Sequence, residues 1–287
     1  MTIKIVNGRK IAEKIHIKTT EEVKHLKSIY KITPNITTIK IGDNQSSELY
    51  YKLRNNACKK AGINSNLLEF SKNISEDKIL KTIDELNLDK NIHGILIQFP
   101  IPDHISSNKL MNAIDPKKDV EGFNPYNMGK TLIGNEDIVP CTPLAVLTIL
   151  NHEKIDLEGK EIVIINHSTI VGKPLTALLL NRNATVTICH IFTKDTKQHS
   201  SNADIIITAT GIPGLITKDY VKNEAFIIDV GIAETKGGIC GDVNFNSVKE
   251  KAVKITPVPG GVGPVTIACS LNNMLKTYKN CIEEKKL

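Results

Sequence analysis

Tyr50 and Arg54 stand four residues apart in a stretch with helical spacing, so they share one helix face. They offer a phenol and a permanently charged donor, but no group that exchanges a proton near neutral pH, because a guanidinium stays protonated. The plainer alternative is a half-buried tyrosine beside a solvated arginine. Gln98 closes the apolar run Gly94-Ile-Leu-Ile-Gln98. That places a polar side chain at the C-terminal end of an expected strand, where sheets of this class carry their site residues. Asp119 and Glu121 follow in a loop-rich stretch, where either can equally be a solvated loop acid.

A second group of residues has the spacing of a nucleotide site. The run Glu161-Ile-Val-Ile-Ile165 enters Asn166-His-Ser-Thr-Ile-Val-Gly172-Lys-Pro174 and then an apolar helical stretch. A strand, a tight turn and a helix N-terminus present unpaired N–H groups and a positive dipole end to a pyrophosphate. Pro174 falls in the first turn, where proline is tolerated. The loop is not G-x-G-x-x-G, and an ordinary βα turn fits it as well. The next strand, 185–189, ends in His190-Ile-Phe-Thr193-Lys194 with no acid to hold ribose hydroxyls, which leans towards a 2′-phosphate. From Thr256 to Thr266, three prolines and three glycines occupy eleven residues before another helix. Glycines let backbone approach a ligand while prolines stiffen the loop around it. Asp229-Val-Gly231 and Gly241-Asp-Val243 have the same look of backbone brought close to a ligand.

The elements that must position these residues alternate in type. Strands are expected at 37–41, 67–70, 93–98, 162–165, 185–189, 204–208, 225–229 and 253–256, and helices at 48–61, 76–87, 143–151, 173–181 and 264–278. Strands separated by helices imply parallel βαβ units in an α/β fold. The Gly-, Pro-, Asn- and Asp-rich stretch 115–143 reads as a connection lining a cleft, so two α/β domains are expected to flank a crevice there.

Length and composition agree. The 287 residues suit one large or two medium domains, and 40% hydrophobic with 24% charged residues excludes a wholly disordered chain. No apolar run reaches the roughly 18–20 residues of a membrane span. The first residues lack a hydrophobic segment with a small-residue cleavage site, which reads as a cytoplasmic protein. Six scattered cysteines form neither a disulfide framework nor a metal-ligand pattern, so no metal is expected. The net charge of +6 is spread along the chain, with short clusters such as Lys59-Lys60, Lys117-Lys118 and Lys285-Lys286. With only 4% aromatics, that argues against nucleic-acid binding and for a surface that attracts small anions.

Together these pieces resemble one family, the methylenetetrahydrofolate dehydrogenase/cyclohydrolases of one-carbon metabolism. The resemblance runs along nearly the whole chain: Val6-Asn-Gly-Arg-Lys-Ile-Ala12, Ile41-Gly-Asp-Asn44, Tyr50 with its partner four on, Gly94-Ile-Leu-Ile-Gln-Phe-Pro-Ile-Pro102, Pro116-Lys-Lys-Asp-Val-Glu-Gly-Phe123, Pro140-Cys-Thr-Pro143, Ser168-Thr-Ile-Val-Gly172, Ile228-Asp-Val-Gly231, Gly241-Asp-Val243 and the proline–glycine loop. It implies a folate-binding catalytic domain over residues 1–139, to which a C-terminal helix over 265–287 returns. A Rossmann-like NAD(P)-binding domain would cover 140–264. It also implies a homodimer, tetrahydrofolate derivatives as substrates, and NADP rather than NAD as cofactor. Tyr50, Arg54 and Gln98 would be catalytic. Tyr50, Gln98, Glu121, Pro259, Gly260 and Gly261 would contact substrate. Asn166, His167, Ser168, Ile170, Val171 and Gly172, then His190, Thr193 and Lys194, then Thr210, Gly211 and Ile232, would hold the cofactor.

Three positions depart from the family pattern. Arg54 stands where the family has its active lysine, Glu121 where it has an aspartate, and Asn166 where the nucleotide loop has its first glycine. Asn tolerates left-handed backbone, yet its side chain could crowd a pyrophosphate. Ile191 also stands where an arginine is frequent. The implied activity is oxidation of 5,10-methylenetetrahydrofolate and hydrolysis of the methenyl product, the hydrolysis weakened by Arg54. A dehydrogenase alone, or a non-catalytic binding paralogue, are the alternatives that these departures leave open.

Overall fold

The computed structural model describes residues 3–235 and 237–284; the Lys285–Lys286 cluster lies outside them. In chain order, β1 (Lys4–Ile5) leads into α1 (Gly8–Tyr30), followed by β2 (Asn35–Ile41), α2 (Gln45–Ala61), β3 (Asn64–Phe70), α3 (Glu76–Leu88) and β4 (Gly94–Gln98). Three helices come next, α4 (Ser107–Ala113), α5 (Pro125–Leu132) and α6 (Cys141–His152). Then β5 (Glu161–Ile165), α7 (Gly172–Leu180), β6 (Thr185–Cys189), α8 (Thr196–Ser200), β7 (Ile205–Thr208) and β8 (Phe226–Asp229) form the second run of alternation. The chain closes with a β9–β10 hairpin (Ala233–Thr235 and Gly238–Cys240), α9 (Phe245–Val248), β11 (Lys254–Ile255) and α10 (Val262–Glu284).

Each expected strand and helix is present; β6 has the expected ends and the others are shifted. The stretch 115–143, expected as a connection lining a cleft, holds the short helix α5. The long helix α1 was not among the expected elements. Its buried positions Ile11, Ala12, Thr19, Val23 and Leu26 recur at helical spacing, but charged residues between them dilute the apolar signal.

Two compact units result. One holds Glu13–Lys130, Glu136–Cys141 and residues 267–284; the other holds residues 3–12, Thr131–Asn135 and Thr142–Thr266. The first contains a parallel three-stranded sheet in the order β3-β2-β4. The second contains a six-stranded sheet, parallel throughout, in the order β1-β11-β8-β7-β5-β6. The opening residues, expected with the first domain, therefore pair into the second sheet: β1 hydrogen-bonds β11. Gly8 follows directly and seals that join, since a Cβ there would sit 1.8 Å from the Gly261 carbonyl oxygen.

In the three-stranded unit α10 packs into the core, as the C-terminal helix was expected to do. Ile267, Leu271, Met274, Leu275, Tyr278 and Ile282 lie against Val23, Leu26, Ile36, Cys58, Leu96 and Val120. On the other face Ile39, Ile79, Ile83, Ile95, Ile97 and Leu110 form a second layer. A parallel sheet buried on both faces needs such continuous apolar strands, which is why β2 and β4 read as unbroken runs.

One polar residue crosses this core. Asn273 of α10 is fully buried, and its amide donates to the carbonyls of Val120 (3.0 Å) and Val139 (2.8 Å). Replacing Asn273 with alanine strands the Val139 carbonyl and leaves the Val120 carbonyl to the weak Cys141 thiol donor at 3.3 Å; a stranded buried acceptor costs about 1–3 kcal/mol. In urea titrations Asn273→Ala is expected to lose about 1–3 kcal/mol of stability. The exposed Asn112→Ala, whose amide caps only its own helix, should lose under about 1 kcal/mol. Equal losses in the two variants would contradict the tie.

Candidate functional site

In the three-stranded unit Tyr50, Arg54, Gln98 and Glu121 come together. Tyr50 and Arg54 share the inner face of α2, and the Arg54 guanidinium carbon lies 5.7 Å from the Tyr50 ring centroid. Gln98 ends β4, and its Oε1 accepts from Arg54 Nη2 at 2.8 Å. Glu121 Oε1 lies 3.6 Å from Arg54 Nη1. The Arg54 side chain is only 2% exposed, so the solvated alternative does not hold, while Glu121 keeps 17% exposure. Among the described residues Nη1 has no hydrogen-bond partner. The cluster is thus a buried fixed cation, held by one amide and loosely faced by one carboxylate.

Asp119 builds the loop that aims Glu121. Its carboxylate accepts from the Gly122 N–H (3.0 Å), the Asn124 N–H (2.8 Å) and the Asn127 amide (3.0 Å), and is 2% exposed. Burial pushes the Asp119 carboxyl above its ordinary range, against those hydrogen bonds. Glu121 is also raised, first by burial and further by Asp119, while Arg54 and the Cys141 thiol pull it down. Cys141 begins α6 and donates to the Val120 carbonyl at 3.3 Å, and burial holds its thiol well above its usual value. Tyr50 is likewise raised well above the normal phenol range by burial and by Glu121. Sequence reasoning counted the cysteines as structural; Cys141, within the Pro140-Cys-Thr-Pro143 motif, is buried and bonds the loop that carries Glu121. Asn273, which holds the carbonyls on either side of this loop, had no local signal at all.

In the six-stranded unit the strand order reverses between β5 and β7, which places a crevice at their C-terminal ends. Asn166 follows β5 and closes its own loop. Its Oδ1 accepts from the Ser168 N–H (2.8 Å), the Ser168 hydroxyl (2.7 Å) and the Gly172 N–H (3.1 Å), while Nδ2 donates to the Ala209 carbonyl beyond β7 (2.7 Å). The side chain is folded into the turn. Gly172 then opens α7, and a Cβ there would lie 2.1 Å from the Asn166 carbonyl oxygen, so only glycine fits. Ile170 and Val171 complete the turn, and exposed His167 lies against His190, with ring centroids 4.6 Å apart.

After β6, the His190 N–H donates to Thr193 Oγ1 at 2.8 Å, Lys194 is exposed, and Ile191 and Phe192 are exposed at the strand end. The nearest acid, Asp195, is turned away to cap α8 by accepting from the Gln198 N–H. After β7 and β8, Thr210, Gly211 and Ile232 converge, fixed by two buried carboxylates that sequence reasoning did not single out as a pair. Asp242 Oδ2 accepts from the Thr208 hydroxyl and the Thr210 N–H, both at 2.6 Å. Asp229 accepts from the Gly231, Asp242 and Val243 N–H groups. Pro259, Gly260 and Gly261 lie in the loop before α10, in the same unit, against Gly8 and Arg9.

Burial and the neighbouring Asp242 push Asp229 up to about 6, from 3.8. The folded protein thus binds this proton more tightly than the unfolded chain does. Below about pH 3 both states are protonated; as pH rises towards 6 the unfolded state ionises first, and stability falls by up to about 3 kcal/mol. The decline should level off above about pH 7. The slope over pH 4–6 in wild type minus that in Asp229→Asn isolates the effect, and identical slopes would refute it.

A family model described as "Tetrahydrofolate dehydrogenase/cyclohydrolase, catalytic domain" matches residues 6–121, and one described as the "NAD(P)-binding domain" of the same enzymes matches residues 140–282. The chain is 48% identical over 283 residues to a bifunctional protein FolD of Nautilia profundicola, covering 98% of this chain and 99% of that one. Among solved structures, the bifunctional methylenetetrahydrofolate dehydrogenase/cyclohydrolase of Campylobacter jejuni superposes with a TM-score of 0.93 at 43% identity, over 97% of this chain and 99% of that one. The Trypanosoma brucei methylenetetrahydrofolate dehydrogenase-cyclohydrolase, solved with NADP and an inhibitor, gives 0.94 at 34% identity, over 98% and 99%.

Proposed function

The chain belongs to the tetrahydrofolate dehydrogenase/cyclohydrolase family, and on that premise we propose a bifunctional enzyme whose second activity is weakened. It oxidises 5,10-methylenetetrahydrofolate to the methenyl cation with NADP, then hydrolyses that cation to 10-formyltetrahydrofolate. The observation that carries the reading is the convergence of Tyr50, Gln98 and Glu121 on a buried Arg54.

Each group has a task that its chemistry suits. Glu121 offers a carboxylate to the pterin, and the Tyr50 ring offers a face or a hydroxyl to it. Gln98 fixes the guanidinium through Nη2. Hydride transfer asks mainly for positioning, and this set retains it. NADP, held by the loop from Asn166 to Gly172 and by the end of β6, supplies the hydride acceptor. Hydrolysis asks for a group that takes up and returns a proton near neutral pH. A lysine made less basic by burial does so, whereas a guanidinium with pKa above about 12 does not. Losing such assistance costs roughly 10²–10⁴-fold.

Arg54→Lys is therefore expected to raise the ratio of cyclohydrolase to dehydrogenase kcat by at least about tenfold. Release of reduced cofactor and decay of methenyltetrahydrofolate are followed separately. A wild type that already hydrolyses as fast as the lysine variant removes the weakening. Folate binding with no turnover on either cofactor would instead make the protein a binding paralogue.

Preference for NADP rests on the end of β6, where Asp195 is engaged at α8 and Lys194 is free to meet a phosphate. Lys194→Glu replaces a charge-assisted contact with repulsion. The NADP/NAD ratio of kcat/KM should then fall at least about tenfold. An unchanged ratio means that another group reads the 2′-phosphate.

A further inference from the structure

We infer that Glu121, and not Arg54, carries the proton in the hydrolytic step. This deepens the folate reading above and rests on it.

The geometry separates the two residues. Arg54 is 2% exposed and anchored to Gln98, whereas Glu121, 3.6 Å from Nη1, is 17% exposed and so in reach of bulk protons. A bidentate guanidinium–carboxylate fork would lock Glu121 in its charged form. That fork is not formed: Gln98 holds Nη2, and Nη1 stops short of hydrogen-bonding distance. The carboxylate therefore takes a proton without first breaking a close ion pair. Burial favours the protonated form while Arg54 opposes it, which leaves the group able to occupy either state.

The other titratable groups facing Glu121 do not fit the task. Asp119, on the same loop, has its carboxylate committed to three hydrogen bonds that shape the loop. Tyr50 of α2 and Cys141 of α6, the latter near Cys269 of α10, hold their protons far above neutral pH. The lysines are also engaged. Lys52 is on the exposed side of α2 with Glu48, and Lys40 of β2 is tied between Glu48 and Glu69, which raises it further. Lys276 of α10, on the Cys141–Cys269 side and lowered by burial, donates to the Asp137 carbonyl.

The step balances with water as the only co-reactant. The water oxygen bonds to the one-carbon bridge of the methenyl cation as one of its O–H bonds breaks, and that proton goes to the Glu121 carboxylate. The bond from N5 to the bridge carbon then breaks, its electron pair stays on N5, and Glu121 returns the proton there. The remaining hydroxyl proton leaves to solvent as the formyl C=O forms on N10. One cation and one water give 10-formyltetrahydrofolate and one proton, and Glu121 ends as it began. Arg54 stabilises the charged carboxylate and holds it in place.

The test compares Glu121→Gln and Glu121→Asp, each in the wild-type and the Arg54→Lys background, by kcat–pH profiles for methenyltetrahydrofolate hydrolysis and for hydride transfer. In the wild-type background, Glu121→Gln should lower the cyclohydrolase-to-dehydrogenase kcat ratio by about 10²-fold or more. It should also abolish the fall in hydrolysis at acid pH. In the Arg54→Lys background the same change should cost under about tenfold, because the introduced ammonium supplies the exchange. Glu121→Asp draws the carboxylate away from Arg54, so its acid limb should persist and move to higher pH. An unchanged ratio and limb in Glu121→Gln, or an unmoved limb in Glu121→Asp, overturns the assignment while leaving the enzyme reading intact. Absence of any folate turnover in the wild type overturns both.

Discussion

A guanidinium 2% exposed to solvent cannot relieve its burial by losing a proton, so the surroundings must satisfy it permanently. Much of the three-stranded unit answers that requirement. Gln98 is the last residue of β4, and its amide oxygen accepts directly from Arg54. The Tyr50 ring faces the cation from one turn earlier on the same helix. Glu121 supplies the opposite charge, but from a loop, and a loop must be held. Asp119 gathers three donors to fold it, and Asn124 adds bonds to the carbonyls of Met111 and Ile114. Asn273 reaches from α10 to pin the carbonyls of Val120 and Val139. Residues distant in the chain thus depend on one buried charge.

The six-stranded unit solves a different problem by the same means. Loops at the C-terminal ends of parallel strands leave backbone donors with no ladder partner, and buried donors must find one. Asp229 takes three of them and Asp242 takes the Thr210 N–H with the Thr208 hydroxyl. Asn166 does this for the βα turn, claiming the N–H groups of Ser168 and Gly172 while bridging to Ala209. A glycine at that position would leave those donors to a ligand. Here the turn is stapled internally, which makes it rigid and takes donors away from the helix N-terminus that a pyrophosphate would otherwise use. The expected crowding by this side chain is thus replaced by competition for the same N–H groups.

Most of the fold was legible because strands buried on both faces are written as local apolar runs, as in Gly94–Gln98 and Phe226–Asp229. Elements whose apolar positions are diluted were not. The buried stripe of α1 is broken by lysines and glutamates, and α5 sits among the glycines and asparagines that suggested a connection. The site divides in the same way. Tyr50 and Arg54 were legible from spacing, and Gln98 from its strand end. The burial of Arg54 and the reach of Asn273 were not, since each depends on residues far away in sequence. The Asp229 and Asp242 segments were noticed as backbone motifs, whereas their carboxylates do the work.

Two of the three departures from the family pattern meet each other. Arg54 and Glu121 stand 3.6 Å apart, so the change that removes an exchangeable cation lies against the change that lengthens a carboxylate. Had only the cation changed, a shorter acid would lie farther from the guanidinium by about one methylene, roughly 1.5 Å, and the buried charge would be compensated less well. Had only the acid changed, a flexible ammonium could follow it. Electrostatically the pair is a matched unit. It is still incomplete in hydrogen bonding, because Nη1 is buried without an acceptor. An unsatisfied buried donor costs about 1–3 kcal/mol of folding stability. An acceptor seated against Nη1 would recover that cost.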